Sequence, residues 1–211
     1  KQGVNVNFFP VIYFVGPCFA GVLIQFLFYG ITSSWVLVAI ALIFVQMQRY
    51  AENLYMDELS GLYNRRYLNA VLSERKFTKC KSLYGIMMDV NAFKYINDNF
   101  GHSMGDKAIC TLGNILFRSI PDGGMAIRYA GDEFIVLLSG VDTESVLVTM
   151  DEINHNLSQF NESKIEPFTL SVSMGYAEFG EGDDTEAFLM HMDEKMYEEK
   201  RKYHLLKKSN S

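Results

Sequence analysis

For its first 48 residues this chain carries one charged side chain, Lys1. Phe8–Gly30 reads FFPVIYFVGPCFAGVLIQFLFYG, with Gln25 its only strongly polar residue, and Ile31–Val45 reads ITSSWVLVAIALIFV. Neither run shows the polar stripe of a helix that packs on a core and faces water. The first is near the ~20 residues that cross a hydrocarbon core. Ser33 and Ser34 can bond within a helix, and a turn over Tyr29–Trp35 lets the second run cross as well. Residues 1–48 are therefore expected to form a transmembrane helical hairpin, in the membrane through residues 8–48. Lys1 and Arg49 put both ends on the cytoplasmic side. That implies a multi-pass protein of the inner (cytoplasmic) membrane, with the remainder of the chain in the cytoplasm. A secretory signal fits poorly, because no small-residue cleavage site leads into a polar start. A chain that opens at Lys1 is expected to be the C-terminal part of a longer, sensor-like protein, or a processed one.

The charge changes after residue 48. Residues 49–211 hold 18 Lys/Arg against 25 Asp/Glu, net -7. Such an acidic stretch argues against nonspecific binding to a polyphosphate backbone, and no nucleic-acid partner is expected. A small phosphate ligand stays open, since it needs only a few donors and a metal. Cys18, Cys80 and Cys110 form no CxxC or Cys/His cluster, which points to a reducing compartment and small buried side chains. Residues 49–60 read as a linker helix with an imperfect stripe of Val45, Met47, Tyr50, Leu54, Tyr55 and Leu59. Transmission of a signal and passive connection are both open for it.

Further on, periodicity predicts a helix over Leu62–Ser73 that ends near Glu74–Lys76, and a buried strand over Ser82–Val90. A short helix follows over Ala92–Phe100, broken by Gly101–Gly105, and helical spacing resumes over Asp106–Phe117. After the turn Pro121–Gly124 come strands Met125–Tyr129 and Glu133–Leu138, with Ala130-Gly131-Asp132 at a hairpin apex. A helix over Thr143–Phe160, a strand over Phe168–Phe179 and a helix from Asp184 to about Leu206 complete the order. The class is α/β (α+β): a central mixed sheet flanked by helices.

Three carboxylates stand outside the usual helix-surface setting: Asp89 at a strand end, and Asp132 with Glu133 at the hairpin apex. Crowded carboxylates repel, so a site that gathers them needs a cation. Mg²⁺ accepts oxygen ligands and leaves positions for phosphate. The competing reading is that each caps a turn independently. Lys94, Arg128, Lys200 and Arg201 are candidates to answer phosphate charge or simply to face solvent, and Asn97 and Asp106 offer the acceptors and donors of a purine reader. Neither GxGxxG nor GxxxxGK[ST] occurs.

Six segments in order resemble the GGDEF family of diguanylate cyclases: DELSGLYNRR at Asp57–Arg66, DVNAFKYIND at Asp89–Asp98, FGHSMGD at Phe100–Asp106, RYAGDEF at Arg128–Phe134, SVSMG at Ser171–Gly175 and DEKMYEEK at Asp193–Lys200. The resemblance implies that residues 57–211 are a GGDEF domain, with a palm-like sheet related to nucleotidyl cyclases. The resemblance implies condensation of two GTP into cyclic di-GMP with release of two pyrophosphates, on a homodimer, with Mg²⁺ or Mn²⁺ as cofactor. It implies metal ligation by Asp89, Asp132, Glu133 and the Val90 carbonyl, with Asp89, Asp132 and Glu133 catalytic. It also implies guanine reading by Asn97 and Asp106, phosphate contacts from Lys94 and Lys200, and close backbone approach at Gly131; Arg128 is grouped with the substrate side.

The departures are Ala130 for the first signature glycine, Asn91 for a frequent aspartate, and Tyr203 with His204 where glycine and arginine often stand. The arginine and aspartate of the family's product-inhibition site would fall at Pro121 and Gly124, so that site is absent. Ala130 and the altered tail keep a second expectation open, a GTP-binding or docking module without turnover.

Overall fold

Two helices, α1 (Val11–Leu27) and α2 (Ser34–Asn53), pack against one another in the opening segment. The computed structural model describes residues 11–27, 34–73, 82–180 and 183–209, and the chain divides into two compact units between Leu54 and Tyr55. Helix α1 has 17 residues, and α2 ends in the polar stretch Gln46–Asn53. Among the described residues, no helix is long and apolar enough to cross a membrane. The two expected spans are thus not found as membrane-length helices; Phe8–Pro10 and residues 28–33, with most of the expected turn, lie outside the described residues. Both helices nonetheless expose large apolar side chains, among them Phe26, Trp35 and Phe44.

The stripe expected to run to Leu59 is also corrected, because α2 stops at Asn53. Residues 57–61 turn instead: the Ser60 N–H and Oγ both donate to Asp57 Oδ1, and Gly61 takes φ 69 while its N–H donates to the Asp57 carbonyl.

The second unit runs β1 (Tyr63–Asn64), α3 (Arg65–Ser73), β2 (Leu83–Val90), α4 (Phe93–Phe100), α5 (His102–Ser119), β3 (Met125–Ala130), β4 (Glu133–Ser139), α6 (Thr143–Ser163), β5 (Val172–Glu178) and α7 (Thr185–Ser209). Its five-stranded sheet has the order β1-β3-β4-β2-β5, with β1 parallel to β3 and the other pairs antiparallel. The mixed sheet flanked by helices is as expected.

Three boundaries moved for local reasons. The helix expected from Leu62 begins at Arg65, because Tyr63 and Asn64 pair with Ile127 and Arg128, and Asn64 Oδ1 then caps the helix from the Arg66 and Tyr67 N–H groups. Gly101 alone, at φ 86, separates α4 from α5, where a five-residue break was expected. Strand β5 starts at Val172 and not Phe168, since the Asn161 carboxamide takes both backbone groups of Leu170. The expected helix end at Glu74–Lys76 and Cys80 lie outside the described residues.

All eight residues of β2 are buried, so each face of this strand is covered. Tyr84, Ile86, Met88 and Val90 point to the core under α4, α5 and α6, while Leu83 and Met87 point to the core under α3 and α7. Helix α7 lays Phe188, Met192 and Met196 on that second face, a strict four-residue spacing. Two glycines let it approach: a Cβ at Gly85 would meet Met192 and Phe188, and one at Gly175 would strike the Met196 N and Lys195 C. Backbone cannot yield as a side-chain tip can. Gly175→Ala is accordingly expected to destabilise the domain by about 1–3 kcal/mol, read as the shift in a urea or thermal melt. An unchanged melt would show that α7 is not held against β5 at this point.

Candidate active site at the end of strand β2

Asp89 continues the row Leu83, Gly85, Met87 along β2 and so points to the α7 side of the sheet, yet it is only 5% exposed. Across the ladder it faces Glu133 on β4 and Ser173 on β5. Lys200 follows Met196 by one more step of the α7 stripe, and its Nζ lies 2.7 Å from Asp89 Oδ2. Asp89 Oδ1 is buried without a hydrogen-bond partner. Val90, whose carbonyl was expected to bind metal, is buried beside it, and its N–H donates to the Asp132 carbonyl at 3.1 Å.

That bond ties β2 to the β3–β4 turn. Gly131 has φ 37, a left-handed conformation that suits glycine. Ala130 precedes it at the end of β3; among the described non-glycine residues only Ala92 and Lys164 have positive φ, so the Ala130 methyl group carries no such strain. Burial raises the carboxyl pKa of Asp132, and the Asp89 charge raises it further, with Lys200 and Arg128 acting against them. Glu133 is raised likewise by burial, then by Asp89, Asp132 and Asp193, with Lys200 opposing. The three expected carboxylates therefore share one electrostatic environment.

Arg128, a candidate to answer phosphate or to face solvent, is held by two partners within the domain. Its Nε donates to the Gly131 carbonyl at 2.9 Å and its Nη1 to Asp57 Oδ1 at 3.0 Å. Burial pushes the Asp57 carboxyl up, yet hydrogen bonds from Ser60 and the Arg128 guanidinium outweigh it and hold the pKa below the usual value. Arg128 thus clamps the β3–β4 turn to the segment that opens the domain.

Helices α4 and α5 carry the remaining candidates. Lys94 is exposed and Asn97 half-buried one turn later; Asp106 is exposed on α5. The Asn97 carboxamide lies where a Cβ on Gly105 would be, so the bare helix backbone makes room for it next to Asp106. Between β2 and α4, Ala92 adopts φ 56 and ψ 31. A non-glycine residue in this region is strained, and such residues cluster at functional sites. Nothing in the spelling of Asn91-Ala92-Phe93 announced it. Asp57 and Asp193 stand in the matched segments without an assigned role; the structure supplies one through Arg128 for Asp57 and through Glu133 for Asp193, both distant in sequence.

Among the described residues, no three His, Cys, Asp or Glu side chains form a ready-made metal cage. The donors nonetheless suit Mg²⁺ or Mn²⁺, ions commonly held by one or two carboxylates plus substrate oxygens. The unpartnered buried oxygen of Asp89 and the raised carboxyls beside it are what a hard cation would relieve. A groove of about 1050 Å³ lies elsewhere, along β5 between α6 and α7. Asn91, Ser173 and Tyr203 line it, but none of Asp132, Glu133, Asn97 and Asp106 does. Volume and chemistry point to different places, and among the described residues only the end of β2 offers an orphaned carboxylate oxygen among acidic neighbours. The side chain of His204 lies outside the described residues.

Known proteins agree with this fold. Residues 54–204 match the family described as diguanylate cyclase, GGDEF domain, and the chain belongs to that family. "Probable diguanylate cyclase DgcT" of Escherichia coli K12 is 33% identical over 125 residues, which cover 57% of this chain and 28% of that protein. Diguanylate cyclase DosC of the same strain is 28% identical over 176 residues, 81% of this chain and 38% of that protein. The chain thus spans well under half the length of these relatives. The crystal structure of the coiled coil and GGDEF domain of DgcB from Caulobacter crescentus, in complex with c-di-GMP, superposes with a TM-score of 0.70 at 22% identity, over 77% of this chain and 89% of that one.

Two outcomes follow from this geometry. Arg128→Ala should lower stability by about 1–2 kcal/mol through loss of a partly buried ion pair and a turn contact; a pure phosphate contact would leave the melting curve where it is. Asp132→Asn, in chelator and without nucleotide, should melt about 1–3 °C above the parent at pH 7. The raised native pKa means that the folded state holds this proton more tightly than the unfolded chain does. Asp132's stabilisation is therefore complete below the unfolded value of about 3.9 and is lost as pH rises through the native value. The gain from asparagine grows over that window, and a variant melting well below the parent at pH 7 would contradict the repulsion.

Proposed function

We propose that this chain is a diguanylate cyclase that condenses two GTP into cyclic di-GMP and releases two pyrophosphates. The observation that carries the reading is the buried, half-satisfied carboxylate of Asp89 beside the Asp132–Glu133 turn, within a domain of the GGDEF family. Asp89, Asp132 and the Val90 carbonyl would hold Mg²⁺ or Mn²⁺. When bound, the ion supplies charge neutralisation at the phosphoryl oxygens.

The chain's own groups account for the rest. In each half-reaction the 3′-hydroxyl of one GTP forms a P–O bond to the α-phosphorus of the other, and the bond to pyrophosphate breaks. Glu133 accepts the hydroxyl proton, and its raised pKa makes it a better base than an ordinary surface carboxylate. Asn97 and Asp106 read the guanine edge, while Lys94 and Lys200 answer the phosphate charge. Because one chain presents one such site, the reaction needs two copies face to face, and catalysis gains from their alignment.

The same proposal puts the protein on the cytoplasmic face of the inner membrane, held there through residues 8–48. Its support is the near absence of charge in that segment and the large apolar side chains that α1 and α2 expose. The unstrained backbone of Ala130 supports turnover over a GTP-binding module without it.

Incubation of the purified chain with GTP and Mg²⁺ should yield pyrophosphate and cyclic di-GMP by mass spectrometry, at a rate that rises more steeply than protein concentration. ATP should not substitute. Asp106→Ala should weaken apparent GTP affinity about tenfold by leaving hydrogen bonds unmet. Product formed equally from ATP and GTP would refute the assigned guanine reader, and no product at any protein concentration would refute the activity.

A further inference from the structure

A buried carboxylate can be neutralised by a permanent partner or by one that leaves, and the two differ in how completely they satisfy it. A permanent buried ion pair is stable only when the remaining lone pairs also find donors. Here Lys200 contacts Oδ2 of Asp89 while Oδ1, equally buried, has no partner. Lys200 also faces more than one anion, since Asp89, Asp132 and Asp193 all raise the Glu133 carboxyl against its opposing effect, and Arg128, which also opposes the rise at Asp132, is itself bound to Asp57. The site is undercompensated in charge and half-satisfied in hydrogen bonds.

The two partners differ in freedom. Asp89 is paired on both sides, to Glu133 and to Ser173, and its side chain is 7% exposed. Lys200 sits where the buried stripe of α7 ends, on a flexible four-carbon stem with its side chain 30% exposed. If either group moves, it is the lysine.

We infer that Lys200 is a built-in counter-ion of the metal site: it occupies the Asp89 carboxylate in the metal-free protein and is displaced by a divalent cation, which frees its ammonium for a phosphate. Cation entry and presentation of Lys200 are then a single event. This inference rests on the metal reading of the Asp89 site above and adds an order of binding to it.

Binding and labelling test it without turnover. In the nucleotide-free chain, Mn²⁺ affinity measured by calorimetry should be about tenfold higher for Lys200→Met than for the parent. Arg201→Met, which removes the neighbouring exposed charge from the same helix, should change it much less. In the unaltered protein, amine acylation quantified by mass spectrometry should find Lys200 protected in chelator and several-fold more reactive at saturating Mg²⁺. The more exposed Lys202, paired with Glu199, serves as the unchanged reference. Equal Mn²⁺ affinity in the parent and Lys200→Met, equal gains in the two variants, or Lys200 labelling that ignores Mg²⁺ would each overturn the displacement and leave the metal site standing. Absence of Mn²⁺ binding in both the parent and Lys200→Met would overturn the displacement together with the metal reading.

Discussion

Asp89 places a carboxylate where water hardly reaches, and much of the second unit is arranged around that demand. It arises because β2 is covered on both faces, so a polar residue near its end has little solvent to turn to. The sheet order sets the neighbours. With β2 between β4 and β5, Asp89 meets Glu133 on one side and Ser173 on the other. Helix α7 supplies the cation, and it can do so only because Gly85 and Gly175 admit its apolar stripe against the sheet. Packing and electrostatics are therefore one problem here: the contacts that seat Phe188, Met192 and Met196 also deliver Lys200.

The β3–β4 turn depends on a second set of contacts. Arg128 holds the Gly131 carbonyl and Asp57 together, and the Val90 N–H holds the Asp132 carbonyl. The turn is consequently pinned both to the central strand and to the start of the domain. Asp57 is itself fixed by the Ser60 turn.

Much of this was legible beforehand because periodicity and turn chemistry are local. The run Ser82–Val90 announced a buried strand, and Ala130-Gly131-Asp132 between two apolar runs announced the hairpin. The misses have equally concrete causes. Tyr63 and Asn64 carry no strand signature of their own; two residues became β1 only because Ile127 and Arg128 lay alongside. The stripe through Leu54, Tyr55 and Leu59 suggested a helix that the Asp57–Gly61 turn overrides. The Asp57 partner of Arg128 was likewise not legible, since the two stand 71 residues apart.

Residue types and their spacing determined that one carboxylate would stand at a strand end and two at a hairpin apex, that the sheet would be mixed, and that the opening segment would be apolar. Those properties depend on neighbours a few positions away. Tertiary structure alone decided that one Asp89 oxygen is orphaned, that the cation beside it is Lys200, and that Ala130 escapes the left-handed strain borne by Ala92. Each depends on groups far apart in sequence, or on backbone angles that the whole sheet imposes. No local pattern encodes which of several lysines will be carried to a buried carboxylate more than a hundred residues earlier.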